Sequence, residues 1–466
     1  MSEPGGTIEV RVERMAPEGQ GLARAEGSGR VVFVPCAAPG DRLRVVVESV
    51  QKGYALARAE EVLEPGPDRV EPSCPLHAAA GRSGRETCGG CGWQHLSLAG
   101  QLAAKRSIVE DCLRRIGRIQ DVPVEETLPS PRPTRYRNKV LVPFGRAAGR
   151  PVAGFYAPGS HRIADFQDCL VQPELSVRVV LEVKRLCGEL GWEPYDVSSH
   201  SGWLRHLFVR TSEEGRALAA LVTLDPSFPK RDQFVAALRA AVPEVCGVLR
   251  NIQPHRTSVV LGREWEPVWG ETELEERVGS LRLRAGPEAF LQVNTPASEA
   301  LYGLVSEMLF GDGWRPALAV DLYCGVGSIA LWLASRADEV LGIEENRRAV
   351  EDARRNAALN GVQNARFAAG RVETALGTLR AALGPTAAGT ACVVLDPPRA
   401  GCSIPVLKAL RDPALARLAY VSCNPATFAR DASRLAKSGW KLARLKPVDM
   451  FPQTSHVEIA ALFLRG

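Results

Sequence analysis

With 466 residues and 45% hydrophobic side chains, the chain is long enough for about three globular domains and too apolar to be disordered. No apolar run approaches the roughly 18 residues of a membrane span, and Met1-Ser-Glu-Pro-Gly-Gly lacks the basic and apolar regions of a secretion signal, which points to the cytoplasm. A net charge of +5 is too small to demand a polyanionic partner, and twelve cysteines in a reducing compartment point to metal or catalysis before disulfides.

From Thr7 to about Glu64 the residues predict short strands. Ile8, Val10 and Val12 alternate with charged residues, Val31-Val-Phe-Val34 and Leu43-Arg-Val-Val-Val47 follow, and glycines separate them. Strands this short suit a small barrel, which hides its edges by closing. Gly19-Gln-Gly21-Leu-Ala, Phe33-Val-Pro35, Pro39-Gly-Asp41 and Tyr54-Ala-Leu-Ala resemble a TRAM domain, an OB-like barrel, and the resemblance implies RNA binding. Glu64-Pro-Gly-Pro-Asp68 reads as a linker.

Cys74 comes next, then Cys88-Gly-Gly-Cys91, two thiols whose spacing lets both point at one metal centre. Cys169 is the candidate fourth ligand. Four thiolates suit zinc or an iron–sulfur cubane, and spacing alone leaves zinc slightly ahead. Ser97 is placed to cap a helix with Leu98, Leu102, Val109, Leu113 and Ile116 at helical spacing, stopped by Gly117 and expected to pack on a later domain. Arg132, Arg135, Arg137 and Lys139 surround Tyr136, a pattern suited to phosphate or base contact, although a solvated strand end is the plainer reading. From Val140 to Arg284, alternating strands and helices near Ser176–Leu190 and Lys230–Ala240 predict a mixed α+β domain. Within it Ser201-Gly-Trp-Leu-Arg205-His206 is polar and aromatic enough for a nucleic-acid surface.

Near Gly286 the pattern changes to buried strands alternating with helices, as in a parallel doubly wound α/β sheet. Ala317-Leu-Ala-Val-Asp321 is the first strand, and Cys324-Gly325-Val-Gly327 turns into a helix. Val340-Leu-Gly-Ile-Glu344 is the second strand, followed by a helix over Asn346–Leu359. Glycines let the backbone approach a ligand, and Glu344 can accept from two ribose hydroxyls. Asp396-Pro397-Pro398-Arg399 closes the fourth strand, where stiff backbone can wall a planar substrate. A fifth strand delivers Cys423 to the start of a helix over Ala426–Lys437, with Pro425 at its first turn. A helix start is expected to lower the cysteine pKa and make a thiolate; a buried, inert thiol is the plainer reading. Trp440–Val448 and Val457–Arg465 are expected to pair antiparallel at the sheet edge.

Asp396-Pro-Pro-Arg-Ala-Gly401, Tyr420-Val-Ser-Cys423-Asn-Pro-Ala-Thr427 and Phe451-Pro-Gln-Thr-Ser-His456-Val-Glu458 follow Asp321-Leu-Tyr-Cys-Gly-Val-Gly327 in this order. Together they resemble the RNA 5-methyluridine methyltransferases. The likeness extends through Phe290-Leu-Gln292-Val-Asn294, the four cysteines and the barrel, and is nearer to the 23S ribosomal RNA branch than to the transfer RNA branch. It implies three parts: a TRAM barrel over 1–64, a central α+β domain over 65–285, and a Rossmann-like class I methyltransferase domain over 286–466. It implies S-adenosylmethionine as donor, held by Gln292, Tyr323, Gly325, Glu344 and Asp396. It also implies a [4Fe-4S] cluster on Cys74, Cys88, Cys91 and Cys169 and RNA as partner; the sequence makes no membrane segment and no obligate protein partner evident. Two departures stand out: the loop Pro75–Thr87 must bulge to bring Cys74 near Cys88, and Phe367–Arg371 lacks the acid expected beside an adenine.

The chemistry explains the residue types. Uracil C5 is too weak a nucleophile to attack a methyl sulfonium unless a thiolate first adds to C6. The resemblance makes Cys423 that nucleophile and Glu458 the base that removes the C5 proton, with His456 as second candidate.

Overall fold

Period-two burial shapes the N-terminal stretch, where Val10 and Val12 turn inward between charged neighbours, as do Leu43, Val45 and Val47. In the computed structural model, which describes residues 3–79, 87–383 and 388–465, strands β1 (Thr7–Met15), β2 (Gly21–Arg24), β3 (Val31–Val34), β4 (Arg42–Val50) and β5 (Tyr54–Glu64) close into a barrel of order β1-β2-β3-β5-β4. Most of the loop expected to bulge, residues 80–86, lies outside the described residues. The segment read as a linker is pinned to the barrel, because buried Asp41 accepts from the Gly66 N–H at 2.8 Å and from Arg69 Nε at 2.9 Å.

The chain forms two compact units: Met1–Ser73, Cys91–Pro133 and Ala297–Gly466 make one, Cys74–Gly90 and Thr134–Pro296 the other. In the first unit Ser97 caps helix α1 (Leu98–Cys112), its Oγ accepting the Gly100 N–H at 3.0 Å, and a π turn over Leu113–Gly117 extends it. The buried face differs from the apolar spacing expected. Leu98 and Ile116 are exposed, whereas Gln101, Ala104, Lys105, Ile108, Val109 and Cys112 form the buried stripe. Two polar side chains on the inner face hid that register from apolar periodicity. Val109, Cys112 and Leu113 join the core that holds Phe428, Ala429 and Ala432.

The second unit is a seven-stranded sheet of order β12-β11-β10-β9-β6-β7-β8 with a two-stranded β13-β14 hairpin. Its strands are β6 (Lys139–Ala147), β7 (Arg150–Tyr156), β8 (Ile163–Asp165), β9 (Leu204–Thr211), β10 (Ala217–Thr223), β11 (Val245–Ile252), β12 (Glu264–Gly270), β13 (Leu274–Val278) and β14 (Leu281–Ala285). Helices α2 (Glu174–Glu189) and α3 (Arg231–Ala241) lay Val179, Val183, Phe234 and Leu238 against Leu207, Val209, Ala219 and Leu221. Burial corrects two surface expectations here. Tyr136 is 2% exposed and so cannot stack on a base, and Arg205 and His206 are buried, with Arg205 Nη1 donating to the Gln253 and His255 carbonyls.

Back in the first unit, helix α4 (Thr295–Phe310) leads into the second seven-stranded sheet. Its strands are β15 (Leu318–Leu322), β16 (Glu339–Glu344), β17 (Ala365–Ala369), β18 (Ala391–Leu395), β19 (Leu415–Ser422), β20 (Trp440–Val448) and β21 (Glu458–Arg465). The intervening helices are α5 (Ser328–Leu333), α6 (Arg347–Leu359), α7 (Leu376–Leu383), α8 (Ile404–Ala409) and α9 (Pro425–Ala436). The order is β17-β16-β15-β18-β19-β21-β20, parallel from β17 to β19. Strand β21 runs antiparallel between β19 and β20, so the two final runs pair as expected with β20 outermost. Parallel strands buried on both faces read as continuous apolar runs, and Leu318–Leu322 and Ala391–Leu395 are buried throughout. The strand order reverses between β15 and β18, where such sheets open a crevice beyond the strand ends. Among the described residues no helix is long and apolar enough to cross a membrane.

Candidate active site

Strand pairing gathers three of the candidate residues at one end of the sheet. Ser422 on β19 pairs with Ile459 on antiparallel β21, so the next position along each strand, Cys423 and Glu458, falls side by side. Leu395 on β18 pairs with Tyr420, which puts Asp396 at the same sheet end. Three residues far apart in sequence therefore share one corner. Their mutual charge effects follow: Glu458 and Asp396 both act on the Cys423 thiol, and Asp396 acts on Glu458.

The helix start after Cys423 differs from expectation. Asn424 is the N-cap, its Oδ1 accepting the Ala426 N–H at 3.0 Å and the Thr427 N–H at 3.3 Å. Those donors are the partial positive charge a thiolate would have used, and they are already spent. Burial is then the largest effect on Cys423, followed by the negative charges of Glu458 and Asp396, and the thiol is pushed up to about 11 instead of down. Arg399 pulls it back by charge and hydrogen bonding. Burial raises Asp396 to about 6 and Glu458 well above the ordinary carboxylate range, the latter also through Asp396 and against Arg399. Glu458 is 4% exposed, so its uncharged form is the one the surroundings favour.

The backbone around this corner is tightly fixed. Thr427 Oγ1 donates to the Arg399 carbonyl at 3.1 Å, and Arg430 Nη2 donates to the Ala400 carbonyl at 2.8 Å. Asp431, fully buried on α9, accepts from the Cys402 N–H at 2.8 Å and the Tyr420 hydroxyl at 2.9 Å. One carboxylate thus ties the loop after Asp396, the strand before Cys423 and the helix after it. Sequence reasoning passed over Asp431, which has no local signature, and assigned no role to Arg399. Arg399 Nη2 lies 3.1 Å from His456 Nδ1, and His456 itself is exposed.

The glycine turn stands at the end of β15. Tyr323 takes φ +69°, a strained value for a side chain this large. Its N–H donates to the Ile343 carbonyl at 2.9 Å. Gly327 takes φ +87°, and a Cβ there would lie 3.1 Å from Ala353 Cβ and from the Phe367 ring, so this position admits only glycine without displacement. Glu344 accepts the Gly325 N–H at 3.1 Å and the Asn346 N–H at 2.8 Å, leaving further lone pairs on each oxygen for a ligand. Gln292 belongs to the second unit, where its carbonyl accepts from Asn138 Nδ2 at 3.4 Å.

The cysteines divide between units. Cys74, Cys88 and Cys169 lie in the second and Cys91 in the first. Burial raises the Cys74 thiol and pushes Cys88 up to about 11, and each also feels Cys169. Arg135 fixes the Cys169 loop, with Nη1 donating to the Cys169 carbonyl at 2.8 Å and both Nη groups bonded to Asp168. Thiol donors of this kind suit a thiophilic metal. Yet among the described residues no group of three or more His, Cys, Asp or Glu side chains is arranged to hold a metal ion, so the four-ligand expectation does not appear as a formed constellation.

Comparison with known proteins gives consistent results. Residues 272–465 match the tRNA (uracil-5-)-methyltransferase family and residues 2–59 match the TRAM domain. A protein of Halalkalibacterium halodurans described as an uncharacterized RNA methyltransferase is 38% identical over 98% of this chain and 96% of its own. A similarly described protein of Gloeobacter violaceus is 37% identical over 99% of this chain and 97% of its own. The crystal structure of the Pyrococcus abyssi tRNA (uracil-54, C5)-methyltransferase with S-adenosyl-L-homocysteine superposes with a TM-score of 0.75 at 25% identity, covering 98% of this chain and all of that one.

Proposed function

The chain belongs to the RNA uracil-5-methyltransferase family, and from that premise we propose that it methylates C5 of a uridine in RNA through a transient bond between Cys423 and C6. The observation that carries this reading is the strand register that sets Cys423 beside Glu458, with Asp396 and Arg399 at the same corner. S-adenosylmethionine supplies an electrophilic methyl group. Tyr323, Gly325, Glu344 and Asp396, at the strand ends and the glycine turn, are assigned to hold it, and Gln292 is assigned to the same donor.

Cys423 gives up its proton to solvent as its sulfur bonds to C6, and the C5–C6 π pair moves onto C5 and the C4 carbonyl. After C5 has taken the methyl group, the Glu458 carboxylate accepts the C5 proton. The electrons of that C–H bond restore the C5–C6 double bond, and the C6–S pair returns to Cys423. One proton leaves the protein per methyl group transferred. Because both resting groups favour their protonated forms, Arg399 has a role that motif reading did not assign: its guanidinium favours thiolate on Cys423 and carboxylate on Glu458. His456, next to Arg399, is exposed and stands second as base.

The proposed substrate is 23S ribosomal RNA, gripped by the barrel, and the proposed compartment is the cytoplasm. The second reading is a transfer RNA, favoured by the full-length likeness to the Pyrococcus enzyme. Cys74, Cys88, Cys91 and Cys169 are proposed to hold a [4Fe-4S] cluster that takes no part in methyl transfer, and iron and sulfide analysis of anaerobically purified protein tests this. For the reaction, the protein is incubated with total RNA and methyl-labelled donor, and the label is mapped by fragment. Label as 5-methyluridine in 23S RNA is expected, label in transfer RNA supports the second reading, and label on another base or atom contradicts both.

A further inference from the structure

The segment from Asp449 to Val457, which leads into Glu458, is held from the side of α1 and the barrel. Lys105 is fully buried on α1, its ammonium pairing with Asp449 and donating to the Phe451 carbonyl at 3.0 Å. One turn earlier Gln101, 1% exposed, grips the same segment twice: Nε2 donates to Gln453 Oε1 at 3.0 Å and Oε1 accepts the Gln453 N–H at 2.8 Å. Gln453 sits at φ +71°, a conformation that such contacts must enforce. The Gln453 carbonyl accepts the Trp93 N–H at 3.0 Å.

Trp93 links this lock to the barrel. Its indole Nε1 donates to the Gly19 carbonyl at 2.9 Å, and its ring is buried with Met15, Ala38, Leu96, Ala104 and Ile108, a core shared by barrel and α1. Gly19, at φ +94°, lies against the same segment, since a Cβ there would fall 3.2 Å from both Cβ and Oγ of Ser455. A buried ion pair is weak evidence for stability, because desolvating both charges offsets their attraction; holding one conformation is the better-attested use of such a pair.

We propose that Gln101 and Lys105 are positioning residues for removal of the C5 proton, and that the barrel turn at Gly19 acts through Trp93 and Ser455 on the same segment. The barrel then seats the base as well as meeting RNA. This rests on reading Glu458 as the base.

The test uses full-length Lys105→Met, Gly19→Ala and Glu458→Gln proteins with S-adenosylmethionine and whichever RNA, 23S or transfer, the wild-type protein labels. Denaturing gels follow the formation and decay of the covalent RNA–protein complex in a single turnover. In Lys105→Met and Gly19→Ala the complex forms at close to the wild-type rate and decays about 10²-fold more slowly, the scale expected for a misplacement of about 1 Å. Adding Ser455→Gly to Gly19→Ala, which removes the side chain the new methyl meets, restores part of the decay rate. That pair also decides the matter where Lys105→Met fails to fold. Formation and decay falling together with the folded fraction, or unchanged decay, overturns the proposal. If Glu458→Gln itself accumulates no complex, the base assignment fails instead.

Discussion

Replacing Arg399 with glutamine reports most directly on the electrostatics around Cys423. In the resting protein burial, Glu458 and Asp396 push the thiol up to about 11, with Arg399 pulling against them. Each pH unit below that value costs a factor of ten, so at about pH 8 roughly one molecule in 10³ carries the thiolate. An opposite charge in contact moves a pKa by about 1–3 units, and the exposed position of Arg399 puts it at the low end of that range. Arg399→Gln is therefore expected to slow alkylation of Cys423 by iodoacetamide about tenfold at any fixed pH. The assay is mass-spectrometric mapping of the residue-423 peptide over a series from about pH 7 to about pH 10. The wild-type rate should climb about tenfold per pH unit without a plateau, and the variant's line should lie parallel and displaced by about one unit toward alkali. A wild-type plateau near neutrality, the mark of a thiolate made by the helix start, or a variant that reacts at the wild-type rate, would refute this reasoning.

Glu458→Gln should reduce turnover by about 10² to 10⁴-fold and leave a denaturant-resistant RNA–protein band, where a clean loss of both would deny its role as base. The same variant should melt higher than wild type at alkaline pH. The folded Glu458 carboxyl is raised, so the stability its protonated form contributes is present below the ordinary glutamate value of 4.5 and lost as pH rises toward the folded value; calorimetry should find the gap closing in acid. Asn424→Ala removes an acceptor of two helix N–H groups and should cost about 1 kcal/mol in denaturant unfolding. Gly327→Ala adds a methyl 3.1 Å from Ala353 Cβ in a left-handed conformation, so titration calorimetry should show weaker S-adenosylmethionine binding, and an unchanged Kd would count against the assigned crevice.

Periodicity made much of the fold readable in advance. Val10 and Val12 announced a barrel strand, and the continuous apolar runs at Leu318–Leu322 and Ala391–Leu395 announced buried parallel strands. The sharp strand-to-helix turn at Ser422-Cys-Asn-Pro was equally visible, because Pro425 marks a first helical turn. Its electrostatic consequence was not, since the cap belongs to Asn424 and the charges acting on the thiol come from Asp396 and Glu458, brought in by other strands. Polar residues on inner faces were the other blind spot. Gln101 and Lys105 displaced the buried register of α1, and Tyr136 and His206 looked like surface groups until the sheet covered them. Asp431 binds three segments through contacts that no local pattern encodes.

The most direct measurement is methyl transfer to RNA by Cys423→Ala protein, run beside wild type with labelled S-adenosylmethionine and with 5-fluorouridine RNA. Wild type should label ordinary RNA and form a denaturant-stable complex with the fluorinated one, and the alanine protein, folded and still binding the donor, should do neither. Undiminished labelling by Cys423→Ala would contradict the account at its centre.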